Sequence, residues 1–194
     1  VTVLVRVGAV VSRRFGFELV KPSSVVVSGG SASATVSALG SVEFTTCETL
    51  SLNGVFSSGY DNYMISFRCS ASNAAEAVSC RLRLSGTDNA TASSYTHQFI
   101  AANSTTVSGQ RSSSDAAGLG TVSSTQRNGQ TIYVYGPNLA QPTAGRNIDA
   151  SGYLSAYIAD RAFTHNQSTA YDGITLFPGA GTVSGRVAVY GMRG

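Results

Sequence analysis

Setting aside the many hydroxyls, the side chains of this 194-residue chain that could do chemistry are few: two histidines, three cysteines and ten carboxylates. His97 lies in the alternating run Tyr95-Thr96-His97-Gln98-Phe99, and His165 follows Asp160 by five residues. An acid, an imidazole and a serine make a nucleophilic relay only when geometry joins them, and serine is so abundant here that nearness to one carries no information. No G-x-S-x-G, G-x-x-x-x-G-K-[ST] or H-E-x-x-H occurs. The carboxylates Glu18, Glu43, Asp61, Glu48, Glu76, Asp88, Asp115, Asp149, Asp160 and Asp172 are scattered singly. A glycosidase needs two of them facing across a cleft, and no spacing selects a pair. Turn aspartates such as Asp61 and Asp88 read first as caps of their own backbone. Cys47, Cys69 and Cys80 are odd in number, and no two are spaced C-x-x-C, so a zinc ribbon is not signalled. They read as small buried apolar side chains, with a Cys69–Cys80 disulfide as the second reading. No catalytic residue, cofactor-binding residue, metal ligand or cofactor is assigned.

The composition explains this scarcity. Charged residues are 12% of the chain, against about a quarter in ordinary soluble domains. Mean hydropathy is only +0.07, so apolar residues do not fill the gap. Ser and Thr, roughly a quarter of the residues, fill it together with 21 glycines. Such a chain lacks the Glu, Lys and Leu of helical bundles. It also lacks the high charge of disordered segments. Nine Tyr, eight Phe and many Val favour sheet. A net charge of +3, with one basic cluster at Arg13-Arg14 near Lys21, is too diffuse to track phosphates, so no nucleic-acid partner is expected. The opening run from Val1 to Val11 is interrupted by Arg6 and closed by Arg13-Arg14. That order is wrong for a secretory signal, and the run is too short for a membrane helix, so no membrane insertion is expected.

The elements needed to hold any site read as strands. In the first of them Val3, Val5 and Val7 share one side. Phe15, Phe17 and Leu19 follow, then Pro22 and the turn signal Ser28-Gly29-Gly30-Ser31. Residues 1–40 are therefore expected to form an N-terminal arm of attachment strands, with these six apolar residues as its contacts. The alternative is that the same strands extend the main sheet. From residue 41 to 194 a sandwich domain is expected, with strands near 42–46, 48–52, 62–69, 78–85, 94–101, 120–124, 131–135, 146–150, 153–159, 173–177 and 185–190. Turn signals separate them, which means a sandwich or barrel. Tyr63, Ile65, Phe67 and Cys69 share one face, with Ser66 and Arg68 opposite, and Leu82 and Leu84 oppose Arg81 and Arg83. Asn128-Gly129 is the strongest local hairpin signal. The stretches around 103–106 and 112–120 read as surface loops. No helix is predicted.

An ordered series of motifs carries a resemblance. It runs Leu52-Asn53-Gly54-Val55-Phe56, Tyr60-Asp61-Asn62-Tyr63, Arg81-Leu82-Arg83, Gly86-Thr87-Asp88 and Ile132-Tyr133-Val134-Tyr135-Gly136-Pro137. It closes with Tyr171-Asp172-Gly173-Ile174-Thr175-Leu176-Phe177-Pro178 and Gly185-Arg186-Val187-Ala188-Val189-Tyr190-Gly191. Over about residues 41 to 191 this resembles the small virion structural proteins of tailed bacteriophages, of the head-decoration, minor-tail or fibre-tip type. The resemblance implies a jelly-roll-like antiparallel β-sandwich, a homotrimer and no catalytic residues. It implies a protein made in the bacterial host cytoplasm and displayed on the virion surface. Its partners would be itself and phage capsid or tail proteins. Capsid decoration (cement) is the function expected first. The alternative is a minor tail or fibre-tip protein binding a host-surface receptor or glycan, with loop contacts at Tyr60, Asp61, Asp88 and Asp115.

Overall fold

Alternating apolar and polar residues build two antiparallel sheets packed face to face. The computed structural model describes residues 16–73, 75–152 and 157–193. In chain order the strands are β1 (Gly16–Val20), β2 (Ser24–Ser28), β3 (Ser33–Val36), β4 (Val42–Cys47), β5 (Thr49–Asn53) and β6 (Asn62–Ala71). Then come β7 (Glu76–Leu84), β8 (Thr87–Asp88), β9 (Tyr95–Asn103), β10 (Thr106–Ser114) and β11 (Ala117–Val122). The last are β12 (Asn128–Tyr135), β13 (Thr143–Ser151), β14 (Tyr157–His165), β15 (Gly173–Pro178) and β16 (Val183–Arg193). The large sheet has the order β10-β9-β14-β13-β12-β6-β16-β4-β3, with β1 also paired to β16. The small sheet has the order β11-β7-β15-β5-β2, with β8 on β7. No helix occurs among the described residues.

The core lies between the sheets. From the large sheet come Tyr63, Ile65, Phe67, Ile132, Val134, Phe163, Val187 and Val189; from the small one Leu50, Leu52, Val78, Leu82, Leu119, Ile174 and Leu176. The alternation read in β6 is the alternation observed: Tyr63, Ile65, Phe67 and Cys69 are buried while Ser66 and Arg68 are exposed. In β7 it holds only to Leu82. Beyond it Leu84 is exposed and Arg83 is buried, because Arg83 is received by the Asp88 carboxylate at 2.9 Å, the Thr175 hydroxyl and the Gly86 carbonyl. All three cysteines are free and buried. Cys69 and Cys80 sit in different sheets, unbonded.

Three expectations change. The first is the arm. Over residues 16–36 its strands are part of the sandwich: β1 pairs with β16, β2 with β5 and β3 with β4. This is the sheet-extension alternative, driven by main-chain pairing along edges that would otherwise stay open. Val3, Val5, Val7 and Phe15 lie outside the described residues. The second is Asn128-Gly129, which forms no turn. Both residues lie inside β12, Asn128 opposite Cys69 and Gly129 opposite Arg68 and Ala150. The buried Asn128 amide donates to the carbonyls of Cys69 (3.2 Å) and Gln126 (3.1 Å) and accepts from the Ser151 hydroxyl (2.7 Å). Its value here is side-chain hydrogen bonding, not a positive φ. The third is β10, whose two ends fall in stretches read as loops. It carries no apolar alternation because it is an outermost strand, exposed along most of its length, and its pairing with β9 is a main-chain matter.

Candidate interaction surface

The outer face of the large sheet is built by residues that alternation turns away from the core. On β14 these are Ile158, Asp160, Ala162 and Thr164, and on β13 they are Ala144, Arg146, Ile148 and Ala150. The register sets Ala150 beside Ile158, Ile158 beside Ala102 and Ala102 beside Val107. The adjoining row runs Ile148, Asp160, Ile100. The result is a shallow apolar depression of about 460 Å³. Ile100, Val107, Ile148 and Ile158 remain 58%, 65%, 47% and 62% exposed there, far from the burial such side chains reach in a core. Asp160 stands among them and is held by a two-pronged contact from Arg146, which keeps its carboxyl below the usual range. The depression ends at β10, an outermost strand of the sheet.

A second hollow of about 320 Å³ lies on the same sheet between β6 and β16. Ser66, Arg68, Arg186, Ala188 and Tyr190 line it. The register puts Arg68 directly opposite Arg186 and Ser66 opposite Ala188. Glu43 approaches Arg186 at 3.6 Å, and the Arg186 guanidinium donates to the Ser41 hydroxyl at 2.9 Å.

The inner face beneath the apolar depression is polar. Gln130, Asn147, Asp149 and Arg161 are buried there, with the half-buried His97 nearby in β9. Asp149 is 1% exposed, and neither carboxylate oxygen reaches a hydrogen-bond partner in good geometry. Burial pushes its carboxyl up to about 7, against the opposing pull of Arg161. Gly120 makes room for it. With φ at +143° and no Cβ, Gly120 lets the Asp149 carboxylate occupy the place a side chain would take.

Each histidine is engaged by neighbouring side chains. Asp160 and His165 project from opposite faces of β14, so they form no relay. His165 is stacked on Tyr95 at 4.1 Å, and its Nε2 lies 2.6 Å from the Tyr171 hydroxyl. His97 Nε2 lies 2.9 Å from the Ser112 hydroxyl. Its Nδ1 lies 3.5 Å from the Gly118 amide nitrogen. Burial, and then Arg161, hold the His97 ring below the ordinary imidazole range. No group of three His, Cys, Asp or Glu able to hold a metal occurs among the described residues.

The loop residues expected as contacts are spread out and mostly engaged. Tyr60 donates to Glu18 of β1 at 2.6 Å. Asp88 is tied to Arg83 and Thr175, and Asp115 to Arg81. Asp61 is exposed, and its carbonyl accepts from the Gly136 amide at 2.9 Å. None of the four lines either hollow. Of the arm contacts, Phe17 is exposed, edge-on to Tyr190 at 6.5 Å, and Leu19 is opposite Tyr190 in the β1–β16 ladder. Sequence reasoning missed the isoleucines of the outer face. Their signal was there in the alternation Arg146, Ile148, Ala150, but which face meets the second sheet is a tertiary fact. The chain matches no protein-family model, no curated protein and no solved structure.

Proposed function

We propose that this protein is a non-enzymatic structural component of a tailed-bacteriophage particle, displayed on the virion surface as a homotrimer and acting as capsid decoration. The observation that carries the assembly part of this reading is the apolar depression on the outer face of the large sheet. Contiguous exposed apolar surface rimmed by polar residues marks a protein contact. The occupant is a second copy of this chain. The depression runs to the outermost strand β10, whose free main-chain groups a neighbouring strand can meet, so apolar cover and strand addition fall on one continuous surface. The phage part rests on the motif resemblance and on the jelly-roll-like character it implies. Sparse charge supports it as well, since close packing of many copies strands few unpaired charges.

The reading is tested on the purified protein by light scattering after gel filtration, followed by sedimentation with particles. A mass three times the 20.0 kDa chain is expected. Ile148→Lys and Ile158→Lys, both at exposed positions, should give folded monomers that no longer sediment with particles. A monomeric parent protein, or variants that assemble as the parent does, would overturn it. A minor tail or fibre-tip role is the second reading, favoured by the arginine-lined hollow between β6 and β16.

A further inference from the structure

We infer that the hollow between β6 and β16 is a binding site for one acidic saccharide unit, its anionic group held by Arg68 and Arg186. Directly opposed residues on antiparallel strands share a face with Cβ atoms about 5 Å apart, and like charges so placed repel. Arg68 and Arg186 are such a pair. Glu43 relieves only Arg186, at 3.6 Å and in solvent. Arg68 has no acidic partner among the described residues. The site thus carries an uncompensated positive charge aimed into a cavity, where an anion would remove the repulsion. Guanidinium forks match the planar oxygens of a carboxylate or the tetrahedral oxygens of a sulfate ester.

Shape narrows the class. At about 320 Å³ the hollow is at the small end of ligand pockets and suits one ring. Its floor is small, Ser66 and Ala188, and Ala188 is buried although it belongs to the outer face. Tyr190 supplies an amphipathic ring and Ser66 a hydroxyl, partners for the apolar and hydroxylated parts of a sugar. Two arginines do not make the stripe a nucleic acid needs. The site is separate from the apolar depression, so the inference holds whether or not the protein assembles. In an assembled particle, many weak copies would add by avidity.

The test is a titration of the isotopically labelled full-length protein followed by NMR. The probes are glucuronate, a sulfated monosaccharide, neutral glucose, inorganic sulfate and a short poly-glutamate peptide. Saturable shifts at the amides of Arg68, Arg186 and Tyr190 are expected with glucuronate or the sulfated sugar, and which binds tighter identifies the anionic group. Binding should be at least tenfold weaker for glucose and for inorganic sulfate, and should weaken with salt. Arg68→Gln, at an exposed position, should cost at least tenfold with its spectrum otherwise intact, while Val26→Thr, exposed on the small sheet, should leave affinity unchanged. Inorganic sulfate binding as well as the sugars would reduce the hollow to a simple anion site and overturn the inference. Tighter binding of the peptide would reassign it to a protein partner. No saturable shift with any probe would overturn it outright.

Discussion

Asp149 shows how one residue couples this fold to pH. Its carboxyl titrates near 7 in the folded chain, because burial disfavours the charge, and near 3.8 when unfolded. The folded state therefore holds a proton that the unfolded state has lost between those values. Asp149 penalises the fold least below about pH 4, and its own penalty grows as pH rises toward 7 and levels off above it, at about 4 kcal/mol in all. His97 and His165, held below the ordinary imidazole range, act in the opposite sense. Thermal melts from pH 4 to 8 should therefore show the parent losing stability, relative to Asp149→Asn, as pH rises. An unchanged slope in the variant would mean that Arg161 already neutralises the carboxylate. The cysteines make a second prediction at this scale. Burial pushes the Cys69 and Cys80 thiols up to about 12, so thiolate is scarce at both. Cys47 is raised as well. A thiol-reactive dye should label none of the three rapidly in the folded protein and all three after denaturation. A count below three in denaturant would reveal a disulfide.

Among the elements, β1 decides what the N-terminal segment is. Its five residues pair with the end of β16, and Glu18 accepts the Tyr60 hydroxyl. Removing residues 1–15 leaves that ladder in place, while removing 1–21 strips it. The second truncation should cost on the order of 2 kcal/mol, a drop of about 5 °C in a chain of this length. Equal melts would show that β1 adds nothing. Loss of particle binding on removing 1–15 alone would assign attachment to that segment. How legible the elements were depended on what each strand buries. β6 is buried on one face, and its alternation was readable residue by residue. β10 is exposed throughout most of its length, so no hydrophobic period marked it. Asn128-Gly129 has the composition of a tight turn but lies where the chain re-enters the large sheet from β11. That change of sheet depends on contacts remote in sequence, and no local signal carries it.

At the scale of the whole molecule, two sheets enclose one core and leave the outer face of the large sheet unequally furnished. One end is apolar and reaches an outermost strand; an arginine-lined hollow lies farther along, between β6 and β16. The candidate site was less legible than the fold. Arg68 was readable as outward-facing, but its apposition to Arg186 joins positions more than a hundred residues apart. Which face of β13 and β14 the second sheet covers is not local information, so the exposure of Ile148 and Ile158 was not readable. The central claim is that this outer face assembles copies of the chain on a particle. Cryo-electron microscopy of virions tests it most directly. Trimeric density is expected at lattice axes of the capsid, fitted by the sandwich with Ile148 and Ile158 buried between copies. Density confined to the tail tip would contradict the decoration role, and density with those side chains facing solvent would contradict the assembly surface itself.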